Sequence, residues 1–215
     1  MEIFSTKILH FVVRKLLFRI FVTMKKIFTT LLALFAAATL TAQEASMPTI
    51  DAQALGMGGV AMASTSDAHA TFNNAAMTAF SLNPAKISAS YYGQTDFDYY
   101  GVSGYWRLGM KSTIQGGWRQ YLREKGNHDS ALDLGYTHRL GERFSVAAVG
   151  RYMHLKRYDV TADALAVDLA MGYAQPIEGW KHYSTLRAGA KLTNLGGFFG
   201  HTDQHLPMEL KAGVA

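Results

Sequence analysis

Residues 164–174 read Ala164-Leu165-Ala166-Val167-Asp168-Leu169-Ala170-Met171-Gly172-Tyr173-Ala174, and the alternation in this stretch decides the fold. Leu165, Val167, Leu169, Met171 and Tyr173 fall on one side of an extended chain, and Ala166, Asp168, Ala170, Gly172 and Ala174 on the other. A period of two marks a strand with a different environment on each side. In a soluble sheet the second side points to water and usually carries long polar side chains. Here it consists of Gly and Ala around one carboxylate. Small residues and isolated charges suit the confined interior of a barrel, and the large apolar side suits lipid.

The same alternation extends in both directions. Leu132, Leu134 and Tyr136 oppose Asp133, Gly135, Thr137 and Arg139, and Leu186, Ala188, Ala190 and Leu192 oppose Arg187, Gly189, Lys191 and Thr193. Met208, Leu210, Ala212 and Val214 oppose Glu209, Lys211 and Gly213, while Tyr100, Val102, Trp106 and Leu108 oppose Tyr99, Ser103, Tyr105 and Arg107. The segments and their turn signals predict strands at 87–95, 98–109, 112–123, 130–140, 143–157, 163–175, 184–195 and 207–215, with a tight turn at Gly141-Glu142. The expected fold is all-β: an antiparallel transmembrane β-barrel of about eight strands over residues 87–215. Closure would leave no unpaired edge in hydrocarbon. A soluble β-sandwich is the rival.

Charge separates this region from what precedes it. Residues 1–43 hold Lys7, Arg14, Lys15, Arg19, Lys25 and Lys26 against Glu2 alone, which leaves 15 basic and 15 acidic residues in 44–215. The net charge of +5 therefore belongs to the N-terminal segment, and no nucleic-acid surface follows from it. Met24-Lys25-Lys26 opens an uncharged run from Ile27 to Ala42 that ends in small residues, the arrangement of a secretory signal peptide over 24–43. Residues 1–23 form a second, poorer targeting-like stretch, read as an overextended start or a long n-region. With no Cys, an exported product has neither disulfides nor a lipidated N-terminal Cys.

Few motifs suggest chemistry. Gly56-Met57-Gly58-Gly59-Val60-Ala61 matches a dinucleotide-binding pattern formally, but a poor strand precedes it and no acid lies at 68–95 to hold a ribose. His201 and His205 have helical metal-ligand spacing but sit between Gly197 and Pro207, where a polar loop is expected. His138, His154 and His182 have no partner at a fixed spacing, and Ser103 lacks nucleophile-elbow spacing. Asp133, Arg139, Arg151, Asp168, Arg187 and Lys191 are expected to face the lumen. Mutual pairing is the plain reading of them, and a ligand path the sharper one. No catalytic residue, metal or cofactor is expected.

The segment before the first strand is the most specific part of the chain. It runs Asp51-Ala52-Gln53-Ala54-Leu55-Gly56-Met57-Gly58-Gly59-Val60-Ala61-Met62-Ala63, then Asp67-Ala68-His69-Ala70-Thr71-Phe72-Asn73-Asn74-Ala75-Ala76. This resembles the N-terminal signature of the PorV/PorQ outer-membrane proteins and, more distantly, of the FadL long-chain fatty-acid transporters. The motif residues are Gly56, Met57, Gly58, Gly59, Asp67, Asn73 and Asn74. The resemblance continues through 144–152, 164–169 and Leu192-Thr193-Asn194-Leu195-Gly196-Gly197 with Leu206-Pro207. It implies that 44–86 is a plug-like segment leading into the barrel.

Two departures stand out. The family's Asn-Pro-Ala is Asn74-Ala75-Ala76 here, with an intact Asn83-Pro84-Ala85 further on. FadL-like barrels also have more strands than the roughly eight counted here, so either a C-terminally incomplete barrel or a self-closing eight-stranded one is expected, the former preferred.

The functional expectation is a non-enzymatic component of type IX protein secretion. Its partners would be outer-membrane lipid, secreted cargo proteins and other secretion components, with no nucleic acid. A FadL-like passive transporter of hydrophobic small molecules and a soluble exported β protein are the alternatives.

Overall fold

The computed structural model describes residues 52–56, 61–63, 67–123, 126–157, 160–177, 184–199 and 206–215. The segments 1–23 and 24–43, expected to be targeting sequence, lie outside the described residues, as do Met57, Gly58 and Gly59 of the glycine-rich motif, His182, and residues 201–205, expected to form a loop.

Two short helices, α1 (Ala52–Gly56) and α2 (Ala70–Asn73), and a 3-10 helix, η1 (Ala75–Phe80), precede the sheet. Eight strands follow: β1 (Ala85–Gln94), β2 (Phe97–Leu108), β3 (Ser112–Arg123), β4 (His128–Arg139), β5 (Phe144–Arg157), β6 (Val160–Ile177), β7 (Ser184–Phe198) and β8 (Glu209–Val214). All eight expected strands are present, with ends within three residues of the expected positions. The Gly141 turn is tight as anticipated: Leu140 N donates to Phe144 O at 2.8 Å and Gly141 has φ 92°, a left-handed conformation open to glycine.

Each strand pairs antiparallel with its sequence neighbour, giving one sheet in the order β1 to β8. Short hairpin connections favour this local meander. The sheet is not closed: β1 and β8 are its two edges, so self-closure by eight strands is not what the chain adopts.

Continuous register keeps side-chain parity across the sheet, so each face has one character. On one face, direct partners form the rows Ala89-Val102-Trp118-Leu132-Tyr152-Leu165 and Ala85-Trp106-Ile114-Tyr136-Ala148-Leu169. Between these two runs Ile87-Gly104-Gly116-Leu134-Gly150-Val167, and beyond them come Leu108-Ser112-His138-Val146-Met171 and then Phe144-Tyr173. None of these rows contains Asp, Glu, Lys or Arg. Five rows two residues apart span about 27 Å along the strands. The large side chains here are open to the surroundings, with Leu134 65% and Trp106 64% exposed.

The other face is covered. Ser103, Gln115, Arg119, Asp133, Thr137, Ser145, Arg151, Asp168 and Lys191 are all buried there, among Ala147, Val149, Ala164, Ala166 and Ala170. The partition is the inverse of a water-soluble sheet, which buries its large apolar side chains and exposes its charges.

The covering layer is the segment that includes α2 and η1, in which Ala68, Ala70, Phe72, Ala75, Ala76, Met77 and Ala79 are buried. Its small side chains let the backbone lie close to the sheet, and Ala75 and Ala76 pack on Ala147, Val149 and Ala170. A second cluster joins Leu206 to Ala131, Met153, Ala164 and Ala166, with Phe198 against it.

Candidate functional site

Five charged side chains from five successive strands meet under the covering segment. Arg119 NH2 on β3 lies 3.0 Å from Asp133 Oδ2 on β4. Asp133 Oδ1 accepts from Arg151 Nε on β5 at 2.6 Å. Arg151 NH2 reaches Asp168 Oδ2 on β6 at 2.6 Å, and its NH1 lies 3.4 Å from Oδ1, a two-point guanidinium–carboxylate contact. Lys191 Nζ on β7 completes the ladder at 2.8 Å from Asp168 Oδ2. Asp133 and Asp168 have no solvent exposure.

Charges alternate along this line, so each carboxylate sits between two cations. Desolvating five charges is costly, and attraction offsets the cost only where the remaining donors and acceptors also find partners. They do. Asn194 N donates to Asp168 Oδ1 at 2.9 Å, and Asn194 Oδ1 accepts from Arg151 NH1 at 3.2 Å. Lys191 Nζ also donates to Phe72 O at 2.8 Å, and the Arg119 guanidinium lies 4.7 Å from the centre of the Phe72 ring. Three cations against two carboxylates leave one positive charge in excess, and Phe72 presents both a carbonyl and a ring face to it.

Asn194 is where the ladder meets the chain's irregularity. The β6–β7 register shifts between Val167 and Leu169, and Asn194 has φ 61°. Asn tolerates this conformation better than most residues. The bulge turns its backbone N–H toward Asp168, while its Nδ2 donates to Pro207 O at 2.8 Å. One residue thus ties the ladder to the segment before β8.

The sheet grips the covering segment by its main chain. Ala75 O accepts from Gln115 Nε2 at 3.3 Å and Thr137 Oγ1 at 3.0 Å, and Ala76 O accepts from Ser145 Oγ at 2.8 Å. Asn74 caps η1 by accepting from Ala76 N at 3.2 Å, and its Nδ2 donates to Met62 O at 2.8 Å and Met171 O at 3.1 Å. Gly189 makes this approach possible: a Cβ there would overlap Met62 O and Asn74 Nδ2. Arg107 and Tyr105 both hydrogen-bond Ser81 at the exit of the segment.

A separate polar knot fixes the start of the segment. Asp67 Oδ1 accepts from His69 N at 3.0 Å, and His69 Nδ1 lies 2.8 Å from Ser103 Oγ. His69 Nε2 is 2.7 Å from Ser90 Oγ and 3.2 Å from Ser88 Oγ on β1. The far nitrogen meets hydroxyls where a catalytic triad has a carboxylate. The arrangement fits a structural tie between covering segment and edge strand.

Of the residues singled out in the sequence, Asp133, Arg151, Asp168 and Lys191 come together in the ladder, Asn74 caps η1, and Asp67 accepts from His69 N ahead of α2. Asn73 is half-buried at the end of α2, and Gly56 is exposed at the end of α1. Arg139 and Arg187 are half-buried at one end of the sheet, outside the ladder. Arg139 NH2 donates to Glu142 O at 2.6 Å and its guanidinium lies 5.5 Å from the centre of the Phe80 ring. Arg119, His69 and Asn194 were not singled out. The parity of Gln115 and Tyr121 places Arg119 on the inner face; His69 and Asn194 lie within the stretches that carry the resemblance, but no periodicity points to their contacts. His154 pairs with Asp163 at 2.7 Å on the exposed side. Among the described residues no cluster of His, Asp or Glu is arranged to hold a metal ion. No protein-family model matches the chain, and no curated protein matches it.

Proposed function

We propose that this chain is a wall of an outer-membrane β-barrel and a non-enzymatic component of type IX protein secretion. In that role it recognises exported cargo and hands it to the surface attachment machinery. The observation that carries the membrane part is the inverted sheet: an uncharged, outward apolar face about 27 Å deep along the strands over a face of buried, paired charges. At the strand tilt usual in barrels this gives roughly 20 Å along the membrane normal, near the height of a barrel's apolar band. In water such a face would be far larger than the apolar patches monomers tolerate. Lipid removes that cost, and it also requires partners for the edges β1 and β8.

The secretion part rests on the resemblance of residues 51–76 to the PorV/PorQ signature. A covering segment locked to the inner face by Asn74, Lys191 and Gln115 suits a rigid scaffold that recognises cargo through its loops. A FadL-like transporter of hydrophobic small molecules is the second reading, favoured by the plug-like placement of the same segment. The charge ladder beneath it is a poor lining for an apolar path.

Sucrose-gradient separation of membranes, followed by gel mobility with and without heating, tests the proposal. Co-sedimentation with outer membrane and capture of the C-terminal domains of secreted proteins are expected, and a heat-dependent shift would mean that β1 and β8 find strand partners in the membrane. A freely soluble periplasmic chain would sink the barrel and the secretion role together. Fatty-acid uptake dependent on the chain, without cargo capture, would favour the transporter.

A further inference from the structure

The inner face carries two sets of cations, and only one of them is neutralised. Arg119, Arg151 and Lys191 in the ladder each meet a carboxylate. The second set lies where β1 begins and where β2 and β4 end. Lys86, Arg107 and Arg139 take the last inward positions of those strands, in register with the buried Tyr105, Thr113 and Ser145. Lys111 and Arg143 stand in the adjoining β2–β3 and β4–β5 turns. Among the described residues none of these five pairs with a carboxylate.

What holds them is neutral. Arg107 NH2 donates to Ser81 O. Arg139 NH2 donates to the main-chain oxygen of Glu142 at 2.6 Å, and its guanidinium lies over the Phe80 ring. Lys86, Lys111 and Arg143 are exposed, and Glu142 is the only acidic side chain at this end among the described residues. Lys111 and Arg139 also stand directly opposite each other: Arg139 N donates to Lys111 O at 2.8 Å, one step on from the Ser112–His138 pair. Like charges placed this way destabilise a sheet. Negative charge brought by a partner turns that cost into attraction.

The five cations cross β1 to β5, four strand spacings or about 19 Å. An extended peptide covers that distance with about six residues. Lipid is the wrong partner, because Lys86, Arg107 and Arg139 have the parity of the covered face and not of the apolar one. Nucleic acid is a poor one. The exposed rings at this end, Trp106, Tyr136 and Phe144, lie on the outward face, which leaves bases nothing to stack on beside the cations. A peptide matches the charge and also the apolar side chains next to it. Leu82 follows Ser81 and Met110 precedes Lys111, and the two are 97% and 88% exposed.

We propose that this cationic rim docks an extended acidic segment of a partner protein, about six residues long, whose carboxylates meet Lys86, Arg107, Lys111, Arg139 and Arg143. The inference goes beyond the function above and does not rest on it, since neither a lipid contact nor a secreted cargo enters the argument.

The test is fluorescence anisotropy of labelled hexaglutamate and hexaglutamine peptides, titrated with the full chain in mild nonionic detergent. Hexaglutamate is expected to bind at least about tenfold more tightly than hexaglutamine, and to weaken as salt is raised. Lys111→Gln with Arg143→Gln should lower hexaglutamate affinity about tenfold. Lys156→Gln, which removes an exposed cation at the opposite end of the sheet, should leave it unchanged. Lys111→Glu separates docking from a structural role. It sets a carboxylate opposite Arg139, so the urea midpoint should hold or rise while hexaglutamate binding is lost. Equal binding of the two peptides, an equal loss in Lys156→Gln, or a lower urea midpoint in Lys111→Glu would each overturn the assignment. Tighter binding of an oligothymidylate of the same charge would give the rim to nucleic acid and overturn it as well.

Discussion

At the scale of single residues, the inner face depends on complete pairing. Asp168 pairs with both Arg151 and Lys191, so Asp168→Asn leaves two buried cations short of a carboxylate. The expected loss is about 3–5 kcal/mol, read as a lower urea midpoint of the chain folded in detergent. Lys211→Gln breaks only an exposed pair with Glu209 and should cost less than about 1 kcal/mol. An equal effect of the two substitutions would mean that the ladder is not formed. Gly189→Ala tests the close approach of the covering segment. The added methyl must displace Met62 or Asn74, at about 1–3 kcal/mol, and should speed proteolysis within 61–80 without cutting the strands. The alternation exposed Asp133, Asp168 and Lys191 as inward-facing residues. It could not expose Asn194, whose contribution comes from a bulge that no periodicity records, nor His69, whose partners lie on two strands distant in sequence.

At the scale of elements, strand positions were legible because each strand is a long, strictly alternating segment and each neighbour follows within a short turn. Register then extends one strand's parity to the whole sheet. A substitution on the outward face is therefore a test of what covers that face. Leu134→Arg should cost about 2–4 kcal/mol if the side chain sits near the middle of a bilayer. On a water-facing sheet the change should stay within about 0.5 kcal/mol. Folding yield into lipid vesicles, with Leu134→Ala as the size control, separates the two. The covering segment was harder to read. Its helices are only four to six residues long, too short for a periodic signal, and they are held by side chains of β2, β3, β4, β5 and β7 more than by their own propensity.

At the scale of the whole molecule, closure is the property that function turns on. Among the described residues neither edge of the sheet has a strand partner, and hydrocarbon does not tolerate unpaired main-chain groups. A heat-dependent gel shift requires those edges to be paired in the membrane, whereas membrane association without the shift would mean a wall that does not close alone. The sequence by itself determined the all-β class, the eight strands, the face that most strand side chains take and the confinement of the net positive charge to residues before 44. These follow from local alternation and composition, which need no knowledge of distant contacts. Only the tertiary structure decided that the sheet stays open, that five separate charges join into one ladder, and that a segment of Ala, Asn and Thr lies against it. Each of those depends on atoms far apart in the chain coming within about 3 Å of one another, a hydrogen-bond distance that no local pattern encodes.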